Sequence, residues 1–406
     1  MANKTVSMEY KYTVEMTYLD IDAGTSTEIT NECIKSIIID HKYEENCMPI
    51  LYVTAKLGKS MVDNMIIHAN TNLFILAIYK YDDLTEDKPQ TLCFRKKFTY
   101  FLPNSVNATD AIDYTDDNYE ETEGTTYSEA VMGLIAVEHI ENNKKHCQIT
   151  AKGNTNFDCV KYVTNHMSNI LIEPFTYSET FDSLVMPPQD SVNKALHWLN
   201  DNRVFYNTPF RFYQDFNYSY IMSSSGRAVE NRDEMYSSVL ISIKEIDEGD
   251  ANDVGVIADK TSQTYEIPVN YVNTQVYDNT IANKSRNIIR GITSSGVQSK
   301  TLKTSADYLG DKVQTIRLNN DNDNMMYNIE HKKNSEQILL YLSKTGLDID
   351  CVTLNKRITV SFIPRYNQYN GVYILYRQRL CFIREDTDFV LVSMINLRKL
   401  EDEDSI

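Results

Sequence analysis

The sequence contains little of several residue types, and each shortage excludes a class of protein. Only 13 of the 406 residues are glycine, so we expect neither a propeller nor a Gly-rich β-solenoid. No apolar run approaches the roughly 18 residues of a membrane span, and "MANKTVSMEYKYTVEM" lacks the apolar segment of a signal peptide. These absences predict a chain without a membrane span that folds in the cytoplasm.

Cysteine is present but does not follow a disulfide or zinc pattern. The seven cysteines are odd in number and include no C-x-x-C pair. They lie in apolar or strand-like stretches, which is typical of buried free thiols. The sequence therefore predicts folding in a reducing compartment.

Basic residues are also few. The chain has 40 Lys and Arg against 57 Asp and Glu, for a net charge of −17. A chain this acidic has no general attraction for phosphate backbones, which disfavours a protein that reads nucleic acid. Solubility alone explains the charge. The alternative is that negative charge lines a surface that nucleic acid passes without binding.

Catalytic motifs are missing from the sequence. A nucleophile elbow, H-E-x-x-H, a P-loop and G-x-G-x-x-G are all absent, and the seven histidines have no ligand-like spacing. Carboxylates are abundant, but no pattern selects a pair for glycoside hydrolysis. We predict that the protein is not an enzyme and has no catalytic, cofactor-binding or metal-binding residues and no cofactor.

One stretch, "NNDNDNMMYNIE", has a spacing similar to that of a calcium loop. Asn319, Asp321 and Asp323 take alternate positions, and Glu330 takes the twelfth. However, Asn324 stands where the loop glycine belongs, and no clear helices flank the stretch. A polar turn is therefore favoured over a calcium site.

Tyrosine, by contrast, is abundant, and it favours a β-rich protein with much interface. There are 28 Tyr against 14 Phe and one Trp. The first hundred residues read as strands around one helix at 58–70, and they predict a small antiparallel sheet or barrel at 1–103. The strands are expected at 10–20, 32–40, 48–57, 73–81 and 92–102.

The remainder of the chain divides by pattern. Residues 104–128 are acidic, lack Lys and Arg, and read as a linker. Residues 129–207 read as an α+β segment with helices at 155–167 and 191–200, the second capped by Asp190 or Ser191. Period-two alternation at 208–246 and 335–400 predicts a second barrel, interrupted by a polar insertion at 247–334.

The most distinctive stretch is "NTPFRFYQDFNYSYIMSS", read as one long strand. Its aromatic face would be Phe210, Phe212, Phe216, Tyr218 and Tyr220, and its polar face Arg211, Asp215, Asn217 and Ser219. An enzyme cleft, a sugar-binding platform and a barrel wall are the alternatives. We favour the wall, with the aromatic face in the core and the polar face toward a lumen or a neighbouring subunit.

The segment from "VMPPQDSVNKALHWLN" to "PFRFYQDFNYSYIM" resembles the central baseplate hub proteins of contractile-tail phages. The C-terminal "KRITVSFIPRYNQYNGVYILYRQRLCFI" and the early strand "CMPILYVTAKL" are similar to that family too. The same fold heads the spike proteins of type VI secretion and related injection machines. The resemblance implies two antiparallel, tail-tube-like β-barrel domains in a β-rich α+β fold. The α+β segment follows from the residue pattern, and the polar insertion at 247–334 departs from the family.

The resemblance also implies a function. Three chains would form a homotrimeric ring of six barrels that joins the tail tube protein to the central spike protein, with other baseplate subunits around it. DNA would pass through the lumen without specific binding, and the protein would belong to the virion tail baseplate, assembled in the host cytoplasm. The alternative function is a carbohydrate-binding or glycan-cleaving protein that uses the aromatic strand 208–222.

Overall fold

The fold is described from a computed structural model of the chain. The residues that it describes are 6–7, 10–43, 46–68, 71–82, 89–101, 121–122, 125–175, 180–202, 205–206, 210–223, 237–245, 257–259, 264–268, 272–277, 286–293, 296–302, 311–317, 337–342, 349–350 and 352–399.

The N-terminal part is built of strands around one helix, as the alternation predicts. In β2, for example, Tyr12, Val14, Met16 and Tyr18 are buried and the residues between them are more exposed. The helix is α1 (Lys59–Ile67). The strands are β1 (Val6–Ser7), β2 (Tyr10–Asp20), β3 (Thr25–Ile29), β4 (Ile34–His41), β5 (Ile50–Gly58), β6 (Leu73–Asp82), β7 (Thr91–Phe101), β8 (Glu121–Thr122) and β9 (Thr125–Ala136).

The middle of the chain mixes helices with short strands. Both predicted helices are present, and the apolar face of the second is buried through Val192, Ala195, Leu196 and Leu199. The elements are α2 (Val137–Asn143), β10 (Cys147–Ala151), α3 (Asn156–Thr164), β11 (Ile170–Ile172), β12 (Leu184–Gln189), α4 (Val192–Asn202), β13 (Phe210–Gln214) and β14 (Ser219–Ser223).

The described residues in the last part of the chain form mainly strands, with a 3-10 helix at Pro364–Tyr369. The strands are β15 (Ser237–Lys244), β16 (Ile257–Asp259), β17 (Thr264–Pro268), β18 (Val272–Tyr277), β19 (Arg286–Thr293), β20 (Gly296–Leu302), β21 (Asp311–Arg317), β22 (Gln337–Leu342), β23 (Lys356–Ser361), β24 (Gly371–Glu385) and β25 (Asp388–Lys399). Of these, β19, β20 and β21 form a separate three-stranded sheet within the predicted insertion.

Eight strands close into an antiparallel barrel, which confirms the predicted β-rich barrel fold. Their order around the ring is β2, β6, β7, β9, β5, β4, β24 and β25. The ring closes where Tyr12 of β2 pairs with Phe389 of β25. A closed barrel leaves no free sheet edge between these strands.

A second sheet includes the same two C-terminal strands, β24 and β25, which form a hairpin. The end of β25 pairs with β22, which pairs with β18, and the start of β24 pairs with β23. β15 then lies parallel to both β23 and β17, so this sheet is mixed and not purely antiparallel. A β-bulge between Leu375 and Arg377 marks the point where β24 leaves the second sheet and enters the barrel.

Strand pairing extends the first barrel beyond residue 103. β9 lies between β5 and β7, while β24 and β25 come from the C-terminal end of the chain. Alternation reports which residues face a core, but it does not report which distant strands pair. The domain limits 1–103, 104–128, 129–207, 208–246 with 335–400, and 247–334 stay a prediction.

The buried apolar side chains form three clusters. The first core fills the closed barrel, including Tyr12, Phe74 and Phe382. The second core lies under the second sheet, including Ile241, Val360 and Tyr373. The third core lies between α3, α4 and the short strands β10, β12 and β13.

The predictions about cysteines, membrane spans and the calcium-like stretch have different outcomes. The six described cysteines are free thiols, but only Cys147 and Cys159 are fully buried. No described helix is long and apolar enough to cross a membrane. The calcium-like residues Asn319, Asp321, Asp323 and Glu330 lie outside the described residues.

A capping box fixes the start of α3. The Asp158 backbone N–H donates to Thr155 Oγ1 over 3.2 Å, and the Thr155 backbone N–H donates to Asp158 Oδ2 over 2.8 Å. We expect Thr155→Ala to lower the free energy of unfolding by about 1 kcal/mol, because the backbone N–H of Asp158 loses its acceptor. Urea unfolding followed by the fluorescence of Trp198 measures this. Thr155→Ser keeps the acceptor and should match wild type, so an equal loss in both variants contradicts the prediction.

Candidate functional site

The distinctive aromatic stretch is a hairpin and not the single long strand predicted. β13 and β14 pair antiparallel, with Phe212 opposite Ile221 and Tyr213 opposite Tyr220. Asp215 Oδ1 makes the turn between them, accepting from the backbone N–H of Asn217 over 2.8 Å and of Tyr218 over 2.6 Å. We call residues 210–223 the joint hairpin.

The turn also reverses the parity of the stretch. Because Tyr213 stands opposite Tyr220, odd residues of β13 share a face with even residues of β14. Phe212 and Tyr220 therefore lie on opposite faces, although the sequence prediction placed them on one. The predicted aromatic row is divided between different cores.

The joint hairpin contributes to all three cores. Phe210, Phe212 and Ile221 belong to the third core. Tyr213, Tyr220 and Met222 belong to the second core. Phe216, at the turn, is the one residue of the hairpin in the first core. A segment of 14 residues thus connects the barrel, the second sheet and the helical layer.

Phe216 occupies an aromatic cage in the barrel. Its ring stacks on Phe94 with centroids 4.3 Å apart and on His139 at 5.8 Å. Phe98 and His41 meet it edge-on at 5.9 and 6.4 Å. Ring pairs at these separations add to the free energy of burial itself.

The polar residues of the hairpin lie differently from the prediction. Asn217 is exposed and Asp215 is partly buried, but Arg211 and Ser219 are buried and do not face a lumen. Tyr218, predicted in the core, is 45% exposed. Tyr218 is the last residue of the tight turn, which turns its side chain away from the cores.

Arg211 is buried, and its guanidinium donates hydrogen bonds to main-chain carbonyl oxygens. It donates to the carbonyl oxygen of Leu375 in β24 over 2.9 Å and to that of Ser223 over 3.4 Å. The fully buried Glu173 accepts from the backbone N–H of Ser223 over 2.6 Å and from its hydroxyl over 2.8 Å. The bond to Leu375 fastens the open end of the hairpin to the second sheet, and the bonds to Glu173 fasten it to the segment that follows β11.

Two buried histidines flank the hairpin. His139 Nε2 donates to the carbonyl oxygen of Asp215 over 2.8 Å, since a carbonyl can only accept. His41 Nδ1 and the Tyr213 hydroxyl are hydrogen bonded over 3.0 Å. Burial lowers the pKa of His41 to about 3 and the pKa of His139 to about 4, so both rings are neutral near pH 7.

An ionic cluster lies beside the β-bulge of β24. Arg377 makes a bidentate contact with the buried carboxylate of Asp40, and Arg379 Nη2 lies 3.2 Å from Asp40 Oδ2. The sequence analysis missed this cluster, as it missed His41 and His139. The "DH" pair that ends the apolar strand "IKSIIIDH" was the available signal, because charged residues are seldom fully buried without a partner.

The contacts of the joint hairpin hold the three cores together, and the cleft beside it is small. A cleft of about 40 Å³ beside the hairpin, lined by His41, Tyr43, Asp215 and Gln378 among others, holds at most a few water molecules. In the part of the chain that the structure describes, no three His, Cys, Asp or Glu side chains are grouped to hold a metal ion. Four of the five aromatic residues proposed for a sugar platform are buried.

Comparison with known proteins identifies the family. Residues 1–400 match the family described as "Bacteriophage PBS1 gene 109 protein". The chain belongs to this family. A search of curated proteins finds no match to its sequence.

Solved structures resemble this family member at low sequence identity. A tail protein from Neisseria meningitidis MC58 has a TM-score of 0.53 and 9% identity, covering 96% of this chain and 97% of that one. The 43 kDa tail protein of prophage MuSo2 from Shewanella oneidensis has a TM-score of 0.49 and 10% identity, covering 97% of both chains. A chain of the Francisella PdpA–VgrG complex has a TM-score of 0.47 and 11% identity, covering 98% of this chain and 59% of that one.

The chain therefore belongs to a bacteriophage family and shares its fold with the tail protein from Neisseria meningitidis, which agrees with the sequence resemblance.

Proposed function

We propose that this protein is the structural hub of a phage tail baseplate. The observation that carries the proposal is the match to a tail protein over nearly the whole length of both chains, within a bacteriophage family. On this proposal the protein is a component of the virion tail, assembled in the host cytoplasm. It makes and breaks no covalent bond.

The architecture supports a ring. The closed barrel and the second sheet share β24 and β25, and the joint hairpin packs into both cores, so the two units are held together as one body. We infer that a homotrimer presents six such units with pseudo-sixfold symmetry. The ring would meet the tail tube protein on one side and the central spike protein on the other, with other baseplate subunits outside.

The acidic composition supports a channel for DNA. A net charge of −17 gives the surface no general attraction for phosphates. On this proposal DNA passes through the lumen of the ring without specific binding.

Oligomeric mass and shape test the hub. We expect the purified chain at micromolar concentration to have about three times its 46.9 kDa mass by light scattering, because the ring needs three copies. Negative-stain images should show a ring with a central pore. A stable monomer across a tenfold range of concentration contradicts the proposal, as does a trimer without a pore.

The carbohydrate-binding alternative predicts a different result. If Tyr218, the exposed member of the aromatic set, bound glycans, then Tyr218→Ala would abolish binding on a glycan array while leaving the fold intact. The burial of Phe210, Phe212, Phe216 and Tyr220 leaves no aromatic platform, so no observation favours this function.

A further inference from the structure

Two histidines, together with Phe94 and Phe98, form the contact between the joint hairpin and the first barrel. At the turn, Asp215 and Phe216 meet His139 of α2 through one hydrogen bond and one ring stack. In β13, just before the turn, Tyr213 contacts His41 at the end of β4. Phe216 is the one apolar side chain that the hairpin places in the barrel core. In addition, the Gln214 backbone N–H donates to the Cys47 carbonyl oxygen, and the Asn142 side-chain amide donates to Gln214 Oε1.

Both rings are buried, and a second proton on His139 would lack an acceptor. His139 Nε2 already donates to the Asp215 carbonyl oxygen, and its Nδ1 is buried without a hydrogen-bond partner among the described residues. A proton on Nδ1 would place an N–H and a positive charge in an apolar setting with no acceptor. His41 is 5% exposed, stacked on Tyr43 and tilted against Tyr213.

We propose that the joint hairpin is an acid-sensitive hinge, in which protonation of His41 and His139 releases the hairpin from the first barrel while the barrel strands and the other two cores stay folded. The hairpin would keep its hold on the other two cores, because six of its apolar side chains pack there. The proposal does not depend on the hub function.

The charged groups around each ring set the sign of the effect. Beside His41 lies the Asp40 carboxylate of the same strand, which Arg377 and Arg379 of β24 bind. Gln378 of β24 pairs with His41 in the sheet. A positive charge on His139 of α2 would repel a positive charge on His41. Beside His139 lie Glu138 on its own helix and Lys96 of β7, which pair with each other. For both rings, burial outweighs the attraction of the neighbouring carboxylates, so the neutral form is favoured.

The direction with pH follows from linkage. Because the pKa of each buried ring lies below the 6.5 of an accessible histidine, the released state binds protons first as pH falls. The hold on the barrel is therefore complete above about pH 6.5 and weakens progressively below it. Asp215 acts in the opposite direction, since burial raises the pKa of its carboxyl. The effect of the two histidines is therefore expected below about pH 6.5.

Hydrogen exchange measured by mass spectrometry on the full chain tests the hinge. We expect amide protection in residues 210–223 and 137–143, corrected for the intrinsic rate, to fall at least about tenfold from pH 7.5 to 5. Protection in β5 and β6 should change less than about twofold. Equal change in the hairpin and in the barrel strands, or no change in the hairpin, overturns the proposal.

Variants assign the effect to the two rings. His41→Asn keeps a polar atom near Nδ1, and His139→Gln keeps a donor near Nε2. We expect the double variant to lose the pH dependence of the hairpin, whereas His146→Gln, at an exposed position, should keep it. Persistence of the pH dependence in the double variant overturns the proposal.

A measurement on the wild-type chain covers the case in which the double variant does not fold. Exchange of the histidine C2 hydrogens reports the protonation of each ring separately. Protonation of either buried ring near pH 6.5 without loss of hairpin protection contradicts the hinge. Rings that stay neutral until the hairpin opens support it.

Discussion

Replacing Phe216 by alanine should lower the free energy of unfolding by about 3–5 kcal/mol, which is the usual cost of truncating a buried phenylalanine. The side chain is 6% exposed and lies between Phe94, Phe98 and the two histidines. Truncation leaves a cavity that rigid aromatic neighbours cannot fill, and it removes the hairpin's one apolar side chain in the first core. Urea unfolding, followed by Trp198 fluorescence and by circular dichroism, measures the loss.

Tyr218 provides a matched control for that substitution. It is an aromatic residue of the same hairpin, two positions away, and it is 45% exposed. Tyr218→Ala should change the free energy of unfolding by less than about 0.5 kcal/mol. If Phe216→Ala unfolds at the same urea concentration as Tyr218→Ala, then Phe216 does not anchor the hairpin in the barrel.

Local periodicity predicted the parts of the fold that depend on neighbouring residues. The alternation of β2 and the Val192, Ala195, Leu196, Leu199 spacing of α4 each report a buried face directly. Ser191, one of two predicted caps, accepts from the backbone N–H of Lys194 over 3.2 Å. These features can be predicted without the rest of the chain, because burial of one face of a helix or strand produces a regular spacing of apolar residues within that element.

Long-range pairing could not be predicted in the same way. Tyr12 pairs with Phe389, and Asp40 binds Arg377, across more than 330 positions of sequence. No periodicity distinguishes a strand that pairs with its neighbour from one that crosses to another sheet. The shared hairpin β24–β25 was therefore expected in the second barrel alone, although half of it completes the first.

The joint hairpin shows why parity alone misled the analysis. Phe210, Phe212, Phe216, Tyr218 and Tyr220 keep one parity in sequence, which is the pattern of a strand with one buried face. A turn organised by the Asp215 carboxylate interrupts the strand and exchanges the faces. An Asp followed by Asn two residues later is a turn signal, and within an aromatic run it outweighs the alternation.

Arg211 shows the corresponding error for a charged residue. Charged side chains are seldom fully buried, so the sequence favoured an exposed position for it. Its acceptor, the carbonyl oxygen of Leu375, is 164 positions away and precedes the bulge of β24. A bulge interrupts the regular ladder, and Arg211 supplies a donor at the point of interruption.

We expect Arg211→Met to lower the free energy of unfolding by about 3 kcal/mol. A hydrogen bond from a charged group contributes about 1.5–3 kcal/mol, and this guanidinium donates to two carbonyl oxygens. Methionine keeps most of the buried volume, so the loss reports the bonds and not a cavity.

Arg365 is the control for Arg211, since its side chain is 61% exposed and lies 3.8 Å from Glu245. Arg365→Met should change the free energy of unfolding by less than about 0.5 kcal/mol, as expected for an exposed ion pair.

Urea unfolding gives the stability difference between Arg211→Met and wild type, and hydrogen exchange locates it. Protection should fall in residues 371–376 and 219–223, where the two acceptors lie, before it falls in the barrel. If Arg211→Met is as stable as Arg365→Met, then the guanidinium does not hold the hairpin to the second sheet. In that case, the apolar contacts of Tyr213, Tyr220 and Met222 are sufficient for the attachment.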